Sequence, residues 1–291
     1  MKRSTLLPRL LPRLRATLAA AALCATAAAA QASVLILGAP AQAGGLADVQ
    51  SKIAATGVVS GVVDVFNVAT GTPTLAMLTA YDAVLVYDES ALVPFASAVQ
   101  LGNVLADYVD AGGGVVEAGL SHATSAFKGM QGRFVSANYD VFNTNNNQNA
   151  CGGLGHVIRP DSPLMRDVTS FNGGTSAFCY RLTAKTGAEI VAEWSNGQAL
   201  AGYRMDHNGV VVGLNMFPTS SDVSPGGWNP SSDGALLMAN SLAFAAGELP
   251  EPGSLALLGI AALAAGVAGR RRARAVTAAT PTTNTTNTTT V

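Results

Sequence analysis

Four short apolar runs, separated by stretches with helical spacing, constrain the fold of this chain more than any other feature. The runs lie at residues 34–38, 62–66, 83–87 and 115–118, and each has the length of a buried strand. Helices are predicted at residues 45–56 and 99–110, and a shorter one starts at residues 72–74. Strands that alternate with helices form a parallel sheet covered on both faces, so the sequence predicts an α/β fold.

The second half of the body, which we place at residues 33–247, has a different pattern. Residues 121–155 are rich in Asn, Gly and Ser, and we expect them to form a long surface excursion. Three β-prone runs then follow at residues 189–193, 198–205 and 209–215. The turns between these runs predict a meander or hairpins, and residues 233–246 predict a closing helix.

The order of these elements resembles that of the class I glutamine amidotransferase-like proteins. The phrases that carry the resemblance are YDAVLV at 81–86, LADYVDAGGG at 105–114, SPLM at 162–165 and GLNMFP at 213–218. The resemblance covers most of residues 34–246. It implies a flavodoxin-like three-layer sandwich with a largely parallel sheet and a β-rich second half, and it says little about any one activity.

Active members of that family carry a nucleophilic cysteine in a Gly-x-Cys-x-Gly elbow, just after the strand that follows the Gly-rich turn. Residues 114–119 read Gly-Val-Val-Glu-Ala-Gly in this region, with no cysteine. The nucleophile has to be a thiolate activated by a nearby base, and neither Val116 nor Glu117 replaces it. The resemblance therefore implies a domain that lacks the nucleophilic cysteine.

Ser121 and His122 come directly after this strand. Adjacent residues rarely place a hydroxyl on an imidazole that a third group orients, so a catalytic Ser-His pair is the less favoured interpretation. We expect His122 in a loop at the carboxyl end of the sheet, where open α/β folds bind ligands. Glu117, Ser121 and His122 are therefore the ligand-binding candidates.

The other polar residues give no metal or cofactor site. His156 and His207 lack Cys, His or carboxylate neighbours at the spacing of a zinc site. Asp88 and Glu89 are adjacent at a strand end, where side chains point to opposite faces, and we expect a solvated loop there. A calcium site at this carboxylate pair is the less favoured alternative. No cofactor is predicted.

Cys151 and Cys179 predict one disulfide, because two thiols in an exported chain most simply pair. Such a bridge would stabilise the fold by about 3 kcal/mol and would pin the Asn-rich stretch to the second half. A catalytic Cys151 is the alternative, although the sequence places no base beside it.

Residues 1–32 predict a secretory signal peptide. A basic region at 1–15 precedes an apolar run at 16–30, and Ala30-Gln31-Ala32 has the A-x-A form of a cleavage site. A permanent N-terminal anchor is one alternative. A lipoprotein site at Cys24 is another, which Ala21 opposes because a lipobox has Leu there.

The opposite end combines a breaker, a short apolar segment and a basic stop. These are Pro250-Glu251-Pro252, residues 255–269 and Arg270-Arg271-Arg272. The layout, over residues 248–274, resembles the PEP-CTERM sorting signal of Gram-negative bacteria. That resemblance implies recognition by an exosortase and a transient hydrophobic anchor helix in the inner membrane; a plain membrane anchor is the alternative. Residues 275–291 extend beyond the usual end of the family and predict a disordered Thr/Asn-rich tail.

Charge excludes nucleic acid as a partner. Residues 33–249 contain 8 basic and 17 acidic side chains, a formal charge of −9, whereas affinity for phosphate depends on Lys and Arg. The sequence therefore predicts an exported envelope or extracellular protein, non-catalytic, with a structural or ligand-binding role, and we expect the secretion machinery, an exosortase and extracellular polysaccharide as partners. The alternative is a hydrolase with a non-cysteine active site at the carboxyl edge of the sheet.

Overall fold

The computed structural model describes residues 32–175 and 178–247. Within them the strands are β1 Val34–Ala39, β2 Val63–Asn67, β3 Ala83–Asp88, β4 Gly114–Gly119, β5 Gln148–Ala150, β6 Leu154–Val157, β7 Phe178–Tyr180, β8 Glu189–Trp194, β9 Ala199–Arg204 and β10 Val211–Leu214. The α-helices are α1 Gly45–Ala55, α2 Leu75–Leu78, α3 Ala98–Asp110, α4 Arg133–Ser136 and α5 Gly234–Ala245. Short 3-10 turns lie at Leu120–His122, Ser125–Phe127 and Pro163–Met165.

Eight of these strands form one sheet in the order β2-β1-β3-β4-β10-β9-β8-β6. The five strands from β2 to β10 in this order are parallel, and β9, β8 and β6 continue the sheet in antiparallel fashion. Strands β5 and β7 form a separate antiparallel pair. The predicted α/β class, the largely parallel sheet and the hairpins of the second half are confirmed.

Two apolar cores lie on the two faces of the sheet. Side chains alternate between the faces of a strand, so β1 directs Val34 and Ile36 to one core and Leu35 and Leu37 to the other. Helices α1 and α5 contribute to the first core, and α2 and α3 contribute to the second. This arrangement is the predicted three-layer sandwich.

The Gly-rich turn before β4 is required by close packing. A Cβ on Gly114 would lie 2.2 Å from the carbonyl oxygen of Ala245, and a Cβ on Gly113 would lie 2.1 Å from the ring of Tyr108. Glycine at both positions lets helix α3 turn directly into the central strand while helix α5 packs over the start of that strand.

Residues 121–155 form the expected surface excursion only in part. Phe134, Val141 and Phe142 are completely or almost completely buried, and so is the carboxylate of Asp140. Helix α4 packs on α3, and the chain after it lies in the core on the α3 face. The expectation was wrong for these buried residues, whose aromatic side chains hold the stretch against the sheet, whereas the Asn-rich residues 143–148 are exposed or half-buried.

The chain divides into one unit of Met1–Glu248 and another of Leu249–Val291. Almost all of the predicted signal peptide, and all of the predicted sorting signal, anchor helix and tail, lie outside the described residues. Within the described ranges, no helix combines the length and the apolar character needed to cross a membrane.

Candidate functional site

Several parallel strands end together at the carboxyl edge of the sheet, and the residues that follow them form a site. Ala41 follows β1, Glu89 follows β3, and residues 216–219 follow β10. Because parallel strands point the same way, these segments meet at one edge, which is where open α/β sheets bind ligands.

A cleft of about 220 Å³ opens at this edge, on the side of the α1 and α5 core. Most of its wall is apolar, with four aromatic rings and one acidic side chain. The residues that line it are Ala41, Glu89, Phe171, Gly173, Trp194, Met216, Phe217, Thr219, Ser224, Gly226, Gly227 and Trp228. Sites for drug-sized ligands start at about 300 Å³, so this cleft suits a small molecule.

The two tryptophans form rigid walls of the cleft. Trp194 donates its indole N–H to the carbonyl oxygen of Asn215 at 3.0 Å, and Trp228 donates to that of Pro218 at 2.8 Å. Phe171 packs against Trp194 with ring centroids 5.1 Å apart. Because each indole N–H already has an acceptor, the rings offer the cleft only apolar surface.

Glu89 is the acidic side chain of the cleft. Its Oε1 accepts from the Thr219 backbone N–H at 2.7 Å, and its Oε2 accepts from the Thr219 hydroxyl at 2.7 Å and from the Ala41 N–H at 3.4 Å. Burial raises the pKa of Glu89 above its ordinary value, the donors on Thr219 and Ala41 lower it, and the negative charge of Asp48 raises it. The carboxylate is therefore held in a fixed position against the wall of the cleft.

Asp48 of helix α1 fixes the residue that follows Thr219. Its carboxylate accepts from the Ser220 backbone N–H at 2.7 Å and from the Ser220 hydroxyl at 3.0 Å. Two acidic side chains, Asp48 and Glu89, thus fix the consecutive residues Thr219 and Ser220 after β10.

A glycine lets two loops meet at the wall of the cleft. Gly174 has a φ of +83°, and a Cβ at this position would lie 2.0 Å from the carbonyl oxygen of Gly227. Both the backbone conformation and the close approach therefore exclude a larger residue at position 174.

The three ligand-binding candidates from the sequence do not line the cleft. Glu117 alternates along β4 with Val116 and Ala118, which belong to the core beside the cleft, so Glu117 faces the opposite core. Ser121 and His122 form a 3-10 turn after β4, and all three candidates are at most 2% exposed. The structure brings Glu117 and His122 together, but below the surface.

His122 is held at both ring nitrogens. Its Nε2 lies 3.1 Å from the carbonyl oxygen of Leu214, and its Nδ1 lies 3.4 Å from Oε2 of Glu117. A carbonyl oxygen only accepts, so Nε2 carries a hydrogen and Nδ1 is the nitrogen that faces Glu117. Burial lowers the pKa of His122, but the charge of Glu117 and the hydrogen bonds to Glu117 and Leu214 outweigh burial and raise it.

Ser121 is not arranged as a nucleophile. Its hydroxyl donates to the backbone carbonyl oxygen of Ala118. Both nitrogens of the adjacent His122 ring face other groups, so the geometry of a hydroxyl activated by an imidazole is not present at this pair.

A second ion pair lies near Glu117. Lys185 Nζ is 2.5 Å from Asp140 Oδ1, and Arg204 donates from Nη1 to the backbone carbonyl oxygen of Asp140 at 3.0 Å. Burial and the charge of Glu117 raise the pKa of Asp140 to about 7, against the opposing effect of Lys185. Asp140, Lys185 and Arg204 therefore form a largely buried polar cluster on the same face of the sheet as Glu117.

The expectation that Asp88 and Glu89 lie in a solvated loop was wrong. Asp88 is completely buried, and its Oδ1 accepts from the Ser90 N–H at 2.8 Å. Burial raises the pKa of Asp88 to about 7, and the Ser90 N–H opposes this effect. The strands β1, β3 and β4 are buried on both faces, so Asp88 lies inside the protein, whereas Glu89 is half-buried at the wall of the cleft.

The other histidines lie elsewhere. His207 stacks on Tyr139 with ring centroids 4.4 Å apart, in the β9–β10 turn, and His156 is exposed on β6. Across residues 32–175 and 178–247, no group of three or more His, Cys, Asp or Glu side chains is placed to hold a metal ion.

The structure contains the predicted disulfide between Cys151 and Cys179. Cys151 follows β5 and Cys179 lies in β7, so the bridge links the two strands of the small sheet at the end of β5. Ser195 and Asn196 of the β8–β9 turn donate to the carbonyl oxygens of Cys151 and Ala150, each at 2.8 Å. The Asn-rich stretch is thereby fixed to the second half of the domain.

The cleft was missed in the sequence, although one signal for part of it exists. Glu89 follows a predicted strand of the parallel sheet, and that position alone marks it as a candidate. Thr219 follows a run that the sequence placed in a hairpin, so its position gave no such signal. Phe171, Trp194 and Trp228 come from two irregular segments and the end of an antiparallel strand, where no periodic pattern indicates that they meet.

Comparison with known proteins confirms the sorting motif. Residues 248–272 match the PEP-CTERM protein-sorting motif, the place where Pro250, Glu251 and Pro252 predicted it. This motif indicates exosortase processing and export across the inner membrane of a Gram-negative bacterium, toward the envelope or the extracellular space. No curated protein matches the chain.

Similar folds occur among solved structures. A ThuA-like protein from Bacteroides uniformis ATCC 8492 is 13% identical, covers 74% of this chain and 91% of its own, and has a TM-score of 0.48. A ThuA-like protein from Parabacteroides merdae ATCC 43184 has 12% identity, coverages of 74% and 89%, and a TM-score of 0.45. The mmIFT52 N-terminal domain has 12% identity, coverages of 73% and 96%, and a TM-score of 0.50. At these identities each likeness concerns the fold alone.

Proposed function

We propose that the body of this exported chain binds a saccharide unit of an extracellular polysaccharide in the carboxyl-edge cleft. The observation that carries the proposal is the combination of four aromatic walls with one fixed carboxylate, Glu89, in a cleft of about 220 Å³. A sugar ring offers C–H groups to apolar walls and hydroxyl donors to a carboxylate, and it has the size of a small ligand.

The charge of the cleft supports this choice of ligand class. None of its twelve described lining residues is Lys or Arg, and the body is acidic. Phosphate and carboxylate ligands need basic groups or helix N-termini, so a neutral or cationic ligand fits better.

Binding rather than bond cleavage is the function we assign to the cleft. Its described lining contains no thiol and no imidazole, and Thr219 directs its hydroxyl to Glu89. The hydrolase alternative would place chemistry on Glu117 and His122, which lie beneath the surface on the other face. A third function, a purely structural component of the extracellular matrix, would not require the cleft to bind any ligand.

A glycan panel tests the proposal. The exported form of the chain is titrated calorimetrically with neutral, acidic and amino saccharides, alongside the variants Phe217→Ala and Phe127→Ala. Phe217 lines the cleft, whereas Phe127 is an exposed phenylalanine outside it, so the second variant is a matched control. We expect Phe217→Ala to weaken binding roughly five- to tenfold, which corresponds to the loss of one aromatic contact, and Phe127→Ala to leave it unchanged.

Two results would contradict the proposal. One is the absence of saccharide binding to the wild-type protein. The other is an equal affinity in the wild-type and Phe217→Ala proteins, which would place any bound glycan outside the cleft.

A further inference from the structure

The described hydrogen-bond partners of the Glu89 carboxyl group are all neutral. Its oxygens accept from the backbone and the hydroxyl of Thr219 and from the backbone of Ala41. The one charged group that affects the pKa of Glu89 among its main causes is Asp48, which is also acidic. A partly buried carboxylate with only neutral hydrogen-bond donors lacks the counter-charge that normally accompanies such a group.

Most of the eight basic residues of the body form ion pairs outside the cleft. Five of them pair with other carboxylates: Lys52 with Asp222, Arg133 with Asp110, Arg159 with Glu189, Lys185 with Asp140 and Arg204 with Asp206. None of the described residues that line the cleft is basic. The protein itself therefore supplies no cation to the cleft within its described lining.

We propose that the ligand supplies this cation, and that the cleft takes an amino sugar whose protonated amine binds Glu89 while its ring lies against Phe171 and Phe217. The inference rests on the proposed function and names the substrate class of the same site. Aromatic rings attract a cation through their negative faces, and a carboxylate gives an ammonium group a charge-assisted hydrogen bond.

The hydrogen-bonding capacity of Glu89 fits one such donor. A carboxylate has about four lone-pair sites, and Thr219 and Ala41 occupy three of them. One site is left for an N–H of the ligand. The hydroxyl of Ser224, which also lines the cleft, is a further acceptor for the same ammonium group.

The surroundings of Glu89 favour a cation over a neutral donor. Burial raises the pKa of Glu89, the donors on Thr219 and Ala41 lower it, and the charge of Asp48 raises it; because the pKa is raised overall, these neutral donors offset only part of the cost of burying the ionised carboxylate. A bound ammonium group removes this cost, whereas a hydroxyl group leaves the carboxylate without a counter-charge. Neutral sugars of the same size should therefore bind more weakly than the amino sugar.

Four probes separate the roles of charge and saccharide. Glucosamine has the ring and the ammonium group, N-acetylglucosamine and glucose have the ring without the charge, and cyclohexylamine has a six-membered ring and the charge without hydroxyls. Each is titrated at pH 7 into the wild-type protein, Glu89→Gln and the matched control Glu193→Gln. Glu193 lies on β8 and does not line the cleft.

We expect glucosamine to bind at least tenfold more tightly than N-acetylglucosamine or glucose. Glu89→Gln should remove this preference, because an amide keeps an acceptor oxygen but not the charge, and Glu193→Gln should retain it. If Glu89→Gln does not fold, as judged by circular dichroism, the comparison of charged and neutral probes on the wild-type protein still decides the question.

The contrary results have distinct meanings. Equal binding of the three sugars overturns the inference and leaves the proposed saccharide site intact. Binding of cyclohexylamine through Glu89 without binding of any sugar overturns the proposed function and supports recognition of an ammonium group. Failure of all four probes to bind overturns both.

Discussion

Nδ1 of His122 lies 3.4 Å from Oε2 of Glu117, and both side chains are closed off from solvent beneath the carboxyl edge of the sheet. A buried pair of this kind gains little over two well-packed apolar residues, but each partner depends on the other. Loss of either partner alone should therefore destabilise the domain, although neither residue lines the cleft.

The Glu117–His122 pair predicts non-additive effects of mutation. Glu117→Ala should lower the free energy of unfolding by about 3–5 kcal/mol, because it leaves His122 buried without its partner. The double variant Glu117→Leu/His122→Phe should lose clearly less than the two single variants together. Urea unfolding followed by circular dichroism measures the free energy of unfolding of each variant. A loss in the double variant equal to the sum of the two single losses would show that the pair is not coupled.

Stability should increase as the pH falls from 8 to about 5. Burial raises the pKa of Asp88 and Asp140 to about 7 in the folded chain, against about 3.9 when unfolded. The folded chain therefore binds more protons in this window, and each such group contributes up to about 1.4 kcal/mol per pH unit. The raised pKa of His122 acts in the same direction, because the stability it adds is lost as the pH rises through its folded value.

Thermal unfolding across this pH range checks the prediction. Asp140→Asn should flatten the curve, since an amide does not titrate, whereas Asp161→Asn on the exposed surface should leave its slope unchanged. A melting temperature that rises with pH from 5 to 8 would contradict the assignment.

Removal of the disulfide should destabilise the domain without preventing its secretion. Cys151→Ala/Cys179→Ala should lower the free energy of unfolding by about 3 kcal/mol. The unfolded chain gains this amount in entropy when no bridge closes the loop between two residues separated by 28 positions. Cys24→Ala is the control, because we expect Cys24 to leave with the signal peptide. Two thiols that react in the denatured, unreduced mature protein would refute the bridge.

The sorting motif predicts where the chain accumulates. Replacing Pro250, Glu251 and Pro252 with alanines should leave export intact but hold the full-length protein in the inner membrane, because the exosortase no longer recognises it. Fractionation of the native host measures the distribution, and alanines at Thr282, Thr283 and Asn284 serve as the control. A triple variant that reaches the medium or the outer envelope at wild-type size and level would contradict the motif's role in sorting.

Much of the fold could be predicted because its signals are local. The apolar runs that became β1, β3 and β4 are buried on both faces, so continuous hydrophobicity identified them. Helix α3 was predicted from apolar residues that include Leu105 and Val109, which are buried, and Val99, which is exposed. The turns of the second half predicted the hairpins of β8, β9 and β10.

The candidate site could not be predicted in the same way. Phe142 lies beside the Asn-rich stretch, and the polar composition around it concealed its packing against His122, with ring centroids 5.3 Å apart. From the sequence alone, adjacent carboxylates such as Asp88 and Glu89 indicate an exposed loop. Glu89 is held by Thr219 and Ala41, which lie far away in sequence and meet it only in the folded sheet.

The position of β10 has a consequence for the timing of folding. This strand, near the end of the domain, fits between β4 and β9 and pairs Val211 with Val115 and Leu214 with Ala118. The central ladder therefore depends on contacts between residues far apart in sequence, which form late and slow the search for the native state. A chain that emerges from a translocon with its N-terminus first cannot complete its sheet until nearly the whole domain has crossed, so translocation should finish before the core closes.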